Sequence, residues 1–178
     1  MLPLESERAL LASLGARPAK EIDGHLLAAA LLGVVELYFE TRKGISMRGV
    51  AGGPDWLGFE SATWQLSEKI RFFLTERRDL GKTGALMDAI ETIIADRRYQ
   101  KGRQNFVLIM GAYGSDRYVE TLKELIDDPD VVGHVVNALI KLKVAGCDEA
   151  MTHIAQDSAY AWIRTAAKTY LKRLGGTS

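Results

Sequence analysis

The strongest constraint on this chain is a helical pattern that recurs in its second half. Displaced by 32 residues, Val131, Val135, Leu139 and Leu142 fall on Ile163, Ala167, Leu171 and Leu174. Displaced by about 30 residues the other way, Val136, Leu139 and Leu142 fall on Phe106, Ile109 and Ala112. Steps of three or four residues keep each set on one helix face. A short helix and an acidic turn precede each frame, Asp127-Asp128-Pro129-Asp130 in one and Gln156-Asp157-Ser158 in the other. Helices of roughly 10–14 residues are marginal alone. A pair of them still leaves apolar flanks, and stacking successive pairs buries those flanks as one core. The repeat therefore predicts an α-solenoid.

The rest of the chain is punctuated in the same way. Ser6 to Leu14 is a short helical candidate, followed by Gly15 and Pro18. His25 to Arg42 reads as a helix, with a strand over Val34–Phe39 as the competing reading, because that stretch is β-branched and aromatic. Lys43 to Glu60 holds Gly44, Gly49, Gly52, Gly53, Pro54 and Gly58 and predicts a long loop. From Ser61, a plausible N-cap, Leu66, Ile70, Phe73 and Leu74 mark one helix face, which ends at Gly81. Thr83 caps the next helix, with Leu86, Ile90, Ile93 and Ile94, and a basic joint follows at 97–103. Phe106 to Tyr113 is stopped by Gly114. Ser115 or Asp116 opens the helix of Leu122 and Leu125, which Asp128-Pro129 ends. Asp130 caps the helix of Val135 and Leu139. Asp148 to Gln156 comes after Gly146, and Ser158 opens the last helix, closed by Gly175-Gly176.

The stretch Asp130-Val131-Val132-Gly133-His134-Val135-Val136-Asn137-Ala138-Leu139-Ile140-Lys141-Leu142 resembles the first helix of a HEAT repeat, as does Trp162 to Gly175. The nearest variant is the short, lyase-type HEAT-like repeat. The resemblance covers 102–175, extends less clearly over 61–100, and is absent from 1–60. The family's usual cation after the apolar residue is kept at Arg164 and replaced at Val132 and Gly133. The resemblance implies an all-α fold, a short right-handed α-solenoid of about three stacked helix pairs over 61–178. Residues 1–60 would form an N-terminal helical cap or extension with a glycine-rich loop. Families of this kind include scaffolds, bilin lyase subunits, some DNA-repair glycosylases and small bacterial immunity proteins.

Composition narrows the functional classes. Lys+Arg and Asp+Glu both number 23, so no global charge draws the chain to nucleic acid or to an anionic membrane. Hydrophobic residues at 47% and charged residues at 26% allow a packed core. Cys147 is the only cysteine, so no internal disulfide forms, and a cytoplasmic setting is the expectation. The N-terminus carries Glu5 and Glu7 before any cation and does not read as a signal peptide. The apolar run Leu26–Val35 is broken by Glu36, short of the roughly 20 residues a bilayer requires, so it reads as a buried helix and no membrane partner is expected.

No motif rises to a catalytic assignment. Gly81-Lys82-Thr83 resembles the end of a phosphate-binding loop, but Glu76 stands where that loop needs glycine, and a helix rather than a strand precedes it. His25, His134 and His153 contain no i, i+4 pair, so no metal site is expected. Cys147, His153 and Asp157 lie close in sequence, yet nearly two helical turns separate the thiol from the imidazole. Trp56, Phe59 and Trp64 flank the glycine-rich loop as cover for the solenoid's open end or, at Trp56, as an interface anchor.

The reading that follows is a non-catalytic protein-binding or scaffold module, with a bacterial immunity-type protein as one form of it and no cofactor. In such stacks the second helix of each pair lines the concave face; here those are 84–96, 117–127 and 148–156. Asp88, Glu91, Glu120, Lys123, Glu124, Thr152 and His153 are their non-core residues and the partner-binding candidates, with Trp56. One alternative is a HEAT-like enzyme handling a chromophore or removing a DNA base. Another is nucleic-acid binding at the joint, with Arg97, Arg98, Lys101 and Arg103 on phosphates and Tyr99 stacking on a base.

Overall fold

The computed structural model describes residues 23–47, 56–81 and 84–176. Among them the protein is all-α, with eight α-helices, two 3-10 helices and no strand. The helix expected over Ser6–Leu14, the loop residues Gly49, Gly52, Gly53 and Pro54, and the turn residues Lys82 and Thr83 lie outside the described residues. The chain divides into two compact units, Met1–Phe106 and Val107–Ser178.

In the first unit, α1 (Gly24–Arg42) packs on α2 (Gly58–Glu76) and α3 (Gly84–Ala95), and α2 also packs on a 3-10 helix, Arg97–Arg103. Asp23 caps α1, its Oδ1 accepting the His25 N–H at 2.7 Å. The competing strand over Val34–Phe39 is not formed. Leu27, Leu31, Val34, Val35 and Tyr38 share the buried face of α1, and burying that face outweighs the strand preference of two valines. By length and composition α1 could cross a membrane; in the fold its face of Leu27, Leu31, Val34, Val35 and Tyr38 is buried where α1 packs on α2 and α3.

The glycine-rich stretch is tied at its base. Met47 N–H donates to Trp56 O at 2.8 Å and Gly58 N–H to Ile45 O at 2.6 Å, around an isolated antiparallel bridge between Ser46 and Leu57. α2 then starts at Gly58, before the expected Ser61. The reason is Glu60, whose buried carboxylate accepts the Leu57 N–H and, at 3.1 Å, the Lys101 N–H, so it caps the helix and pins the 3-10 segment together.

The second unit contains most of α4 (Gln104–Tyr113), a 3-10 turn at Asp116–Tyr118, α5 (Val119–Glu124), α6 (Val132–Leu142), α7 (Asp148–Asp157) and α8 (Ala161–Leu174). α6 packs on α5 and α8, and α7 packs on α8. α4 approaches α6 closely: a Cβ on Gly111 would lie 2.6 Å from Ala138 Cα. Two expected starts shift. Asp130 does not cap α6; Asp128, buried before Pro129, accepts the Asp130 N–H at 3.0 Å on its Oδ1 and the Val132 N–H at 2.8 Å on its carbonyl, which moves the start to Val132. Ser158 is extended, and α8 starts at Ala161 because Arg164 Nη1 holds the Ser158 carbonyl at 2.6 Å outside the helix. The helix expected over 117–127 is only Val119–Glu124, with looser turns on both sides.

Candidate functional site

The sequence-derived partner residues are shared between the units. On the first, Asp88 and Glu91 are half-buried on α3, and Trp56 is half-buried, its ring edge-to-face with Trp64 at 6.3 Å. On the second, Glu120 and Glu124 are exposed on α5, and Lys123 Nζ pairs with Glu120 at 2.9 Å. That pairing raises the Lys123 pKa above its ordinary value. Thr152 Oγ1 donates to the Asp148 carbonyl at 2.8 Å, and His153 Nδ1 meets Asp157 at 3.3 Å.

The basic joint is organised by its own unit. Arg103 is fully buried, donating to Ile94 O at 3.0 Å and Gln100 O at 2.9 Å, so it caps the end of α3. Tyr99 is buried, and its hydroxyl donates to the Glu36 carboxylate. That bond, aided by Arg98, holds Glu36 below the usual carboxylate range. Arg98 spans Glu36 at 3.1 Å and Asp96 at 2.6 Å, and its bond lowers the Asp96 pKa. Arg97 is exposed and Lys101 half-buried. The guanidinium of Arg98 also lies over the rings of Phe39 and Tyr99. The joint thus presents Arg97 and Arg98 outward while Tyr99 and Arg103 point into the unit's core.

The second unit carries a groove of about 460 Å³ between the turn after α5, the end of α7 and the α7–α8 connection. Its apolar wall is Ile126, Pro129, Val132, Ile154, Tyr160 and Ile163, and its polar lining includes Asp127, Asp157 and His153. Tyr160 is 63% exposed beside it. A neighbouring cleft of about 450 Å³ shares Ile126 and His153 and adds Lys123, Cys147 and Glu149. His153 and Lys123 are therefore brought to this region from the candidate set. Cys147 is buried, and its N–H donates to Tyr170 Oη at 3.2 Å, while His153 pairs with Asp157 in solvent. Among the described residues no group of three or more His, Cys, Asp or Glu could hold a metal ion.

Most of the groove escaped the sequence reading because Ile126, Val132 and Ile154 continue core stripes and carry no chemical motif. A signal was present in the departures from the repeat. Val132, which the 32-residue displacement sets on Arg164, lines the groove. Gly133, the next departure, makes room for the Trp162 indole. The run Tyr160-Ala161-Trp162 places two large aromatics at a helix start, and both stay exposed.

The fold thus defines the class, an all-helical chain with a mainly apolar groove on its C-terminal unit. No family model, curated protein or solved structure matches the chain.

Proposed function

We propose that the chain is a non-catalytic protein-binding module, built as a short HEAT-like α-solenoid, that captures another protein at the groove of its second unit. The observation that carries this reading is the groove itself. Apolar side chains of three segments converge on one open concavity with an exposed tyrosine at its edge, the kind of surface that anchors a partner. Two close approaches support the solenoid: Gly111 against Ala138, and Gly133 against Trp162 and Ile163. Both join helices that the sequence repeat makes equivalent, α4 to α6 and α6 to α8, as stacking requires. An immunity-type protein covering a toxin's active surface is one form of this function, and a cytoplasmic setting suits it.

Affinity capture from a lysate of the source organism tests the reading when run in parallel with Tyr160→Ala and Glu91→Lys. A stoichiometric protein lost with Tyr160→Ala and kept with Glu91→Lys supports the groove. A protein lost with Glu91→Lys alone places the partner on the first unit instead.

A further inference from the structure

We propose that the end of the second unit where α6 and α8 finish is a further binding surface, separate from the groove, and that it takes the phosphate backbone of a nucleic acid. The chain is neutral overall, yet from Ser158 onward it carries Arg164, Lys168, Lys172 and Arg173 and no carboxylate. Steps of three and four residues set Thr165, Lys168 and Lys172 on one face of α8, and these residues and Arg173 are exposed. Lys141 and Lys143, also exposed, come to the same end from α6. The α6–α7 connection runs beside the end of α8: the Cys147 N–H donates to Tyr170 Oη at 3.2 Å, and a Cβ on Gly175 would lie 2.9 Å from Asp148 Oδ1. Among the described residues the side chains of Lys141, Lys143, Lys168, Lys172 and Arg173 form no ion pair and no hydrogen bond. Asp148 and Glu149 open α7 nearby, but Asp148 Oδ1 is buried and Glu149 lines the cleft of Lys123. Helix dipoles favour cations in a last turn, which accounts for Lys141, Lys172 and Arg173. They do not account for Lys168, midway along α8, or for the missing carboxylates. No large apolar side chain is exposed at this end; Tyr160 and Trp162 stand at the start of α8. Protein interfaces centre on apolar and aromatic anchors and are poor in lysine. A lysine-rich surface without such an anchor suits a phosphate backbone, whose binding rests on charge neutralisation and counterion release.

Fluorescence anisotropy of the full chain with a short labelled DNA duplex of mixed sequence tests this. Log affinity should fall with log salt at a slope of about −4.5, about 0.9 for each of the five cations. A rise from about 50 to about 200 mM salt then weakens binding on the order of a hundredfold or more. Lys168→Gln/Lys172→Gln/Arg173→Gln should weaken binding at the lower salt about tenfold or more and bring the slope to about −1.8. Lys69→Gln/Arg78→Gln, which removes two exposed cations of the first unit, should leave affinity and slope unchanged. Unchanged melting by circular dichroism keeps the comparison to folded variants, and Lys168→Gln/Lys172→Gln serves where the triple variant does not fold. No duplex binding at the lower salt, or binding that the triple variant leaves intact, overturns the proposal. Binding lost instead in Arg97→Gln/Lys101→Gln moves the nucleic acid to the joint of the first unit and overturns it as well. Polyglutamate, or phosphatidylcholine–phosphatidylserine vesicles, bound more tightly than the duplex at equal salt and released by the triple variant make an acidic protein or a membrane the occupant, which also overturns it.

Discussion

Gly133 on α6 lies directly under the indole of Trp162 on α8: a Cβ at Gly133 would stand 2.0 Å from Cη2 of that ring and 2.8 Å from Cγ1 of the buried Ile163. The two helices meet at this point because residue 133 has no side chain.

Three glycine substitutions should consequently differ in sign. Gly111→Ala places a methyl 2.6 Å from the Ala138 backbone, which cannot yield locally, and should destabilise by about 2–4 kcal/mol. Gly133→Ala meets a ring tip that can swing outward and, at 2.8 Å, the end of a side chain at the buried Ile163 rather than backbone, so it should cost less, about 1–3 kcal/mol, and Trp162→Ala should relieve it in part. Gly33, exposed within α1 with nothing within 4 Å of its added methyl, gains helix propensity, so Gly33→Ala should stabilise by about 0.5–1 kcal/mol. Urea midpoints of the three variants check the order.

Lys143 ends α6 in the left-handed region at φ 57, with its N–H on Ile140 O at 3.2 Å and the Val144 N–H on Leu139 O at 3.0 Å. The helix terminus wants glycine there. Lys143→Gly removes a steric penalty of about 1 kcal/mol and should raise the unfolding midpoint, whereas Lys143→Val should lower it.

His134 packs edge-to-face on Trp162 at 5.5 Å, and burial lowers its pKa to about 4. The folded state therefore keeps the ring neutral while the unfolded chain takes up a proton below about pH 6.5. Stability should fall as pH drops from about 6.5 toward 4, by at most on the order of 3 kcal/mol. Denaturation at a series of pH values above 5, where the carboxylates stay ionised, should show the slope in the native chain and lose it in His134→Asn.

Arg103→Met should destabilise by about 2–4 kcal/mol, because it strands the buried Ile94 carbonyl and removes the bond to the part-buried Gln100 carbonyl. Arg103→Lys should recover only part, since an ammonium cannot reproduce the fixed fork of the guanidinium. Chemical denaturation measures both. An unchanged midpoint for Arg103→Met would contradict this structural role.

Tyr99→Phe removes the hydrogen bond that chiefly lowers the Glu36 pKa. The Glu36 carboxyl should then titrate closer to its ordinary value, as carbon-detected NMR would show. Stability that this carboxylate contributes is present above its unfolded pKa and lost as pH falls through its lower folded value, so the acid side of the profile should flatten.

Helices were legible wherever apolar residues kept a 3.6-residue period against clear stops. His25–Arg42 and Asp148–Gln156 match α1 and α7 to within a residue at each end. Starts were misread at Ser61, Asp130 and Ser158, where a plausible capping side chain was outcompeted by a partner elsewhere. Glu60 answers to Lys101, 41 residues away, and Arg164 reaches back to the Ser158 carbonyl. Pairings of that kind leave no local pattern.

The sequence by itself determined that this chain is helical and where its apolar stripes lie, because backbone hydrogen bonding and amphipathic spacing are local properties. The tertiary structure decided what each polar residue does. It buried Arg103 and Tyr99 out of a stretch that reads as a basic surface, and it gathered Ile126, Val132, Ile154 and Tyr160 from separate segments into one groove. Burial and convergence depend on how helices pack across the chain, and spacing along the sequence does not record that packing.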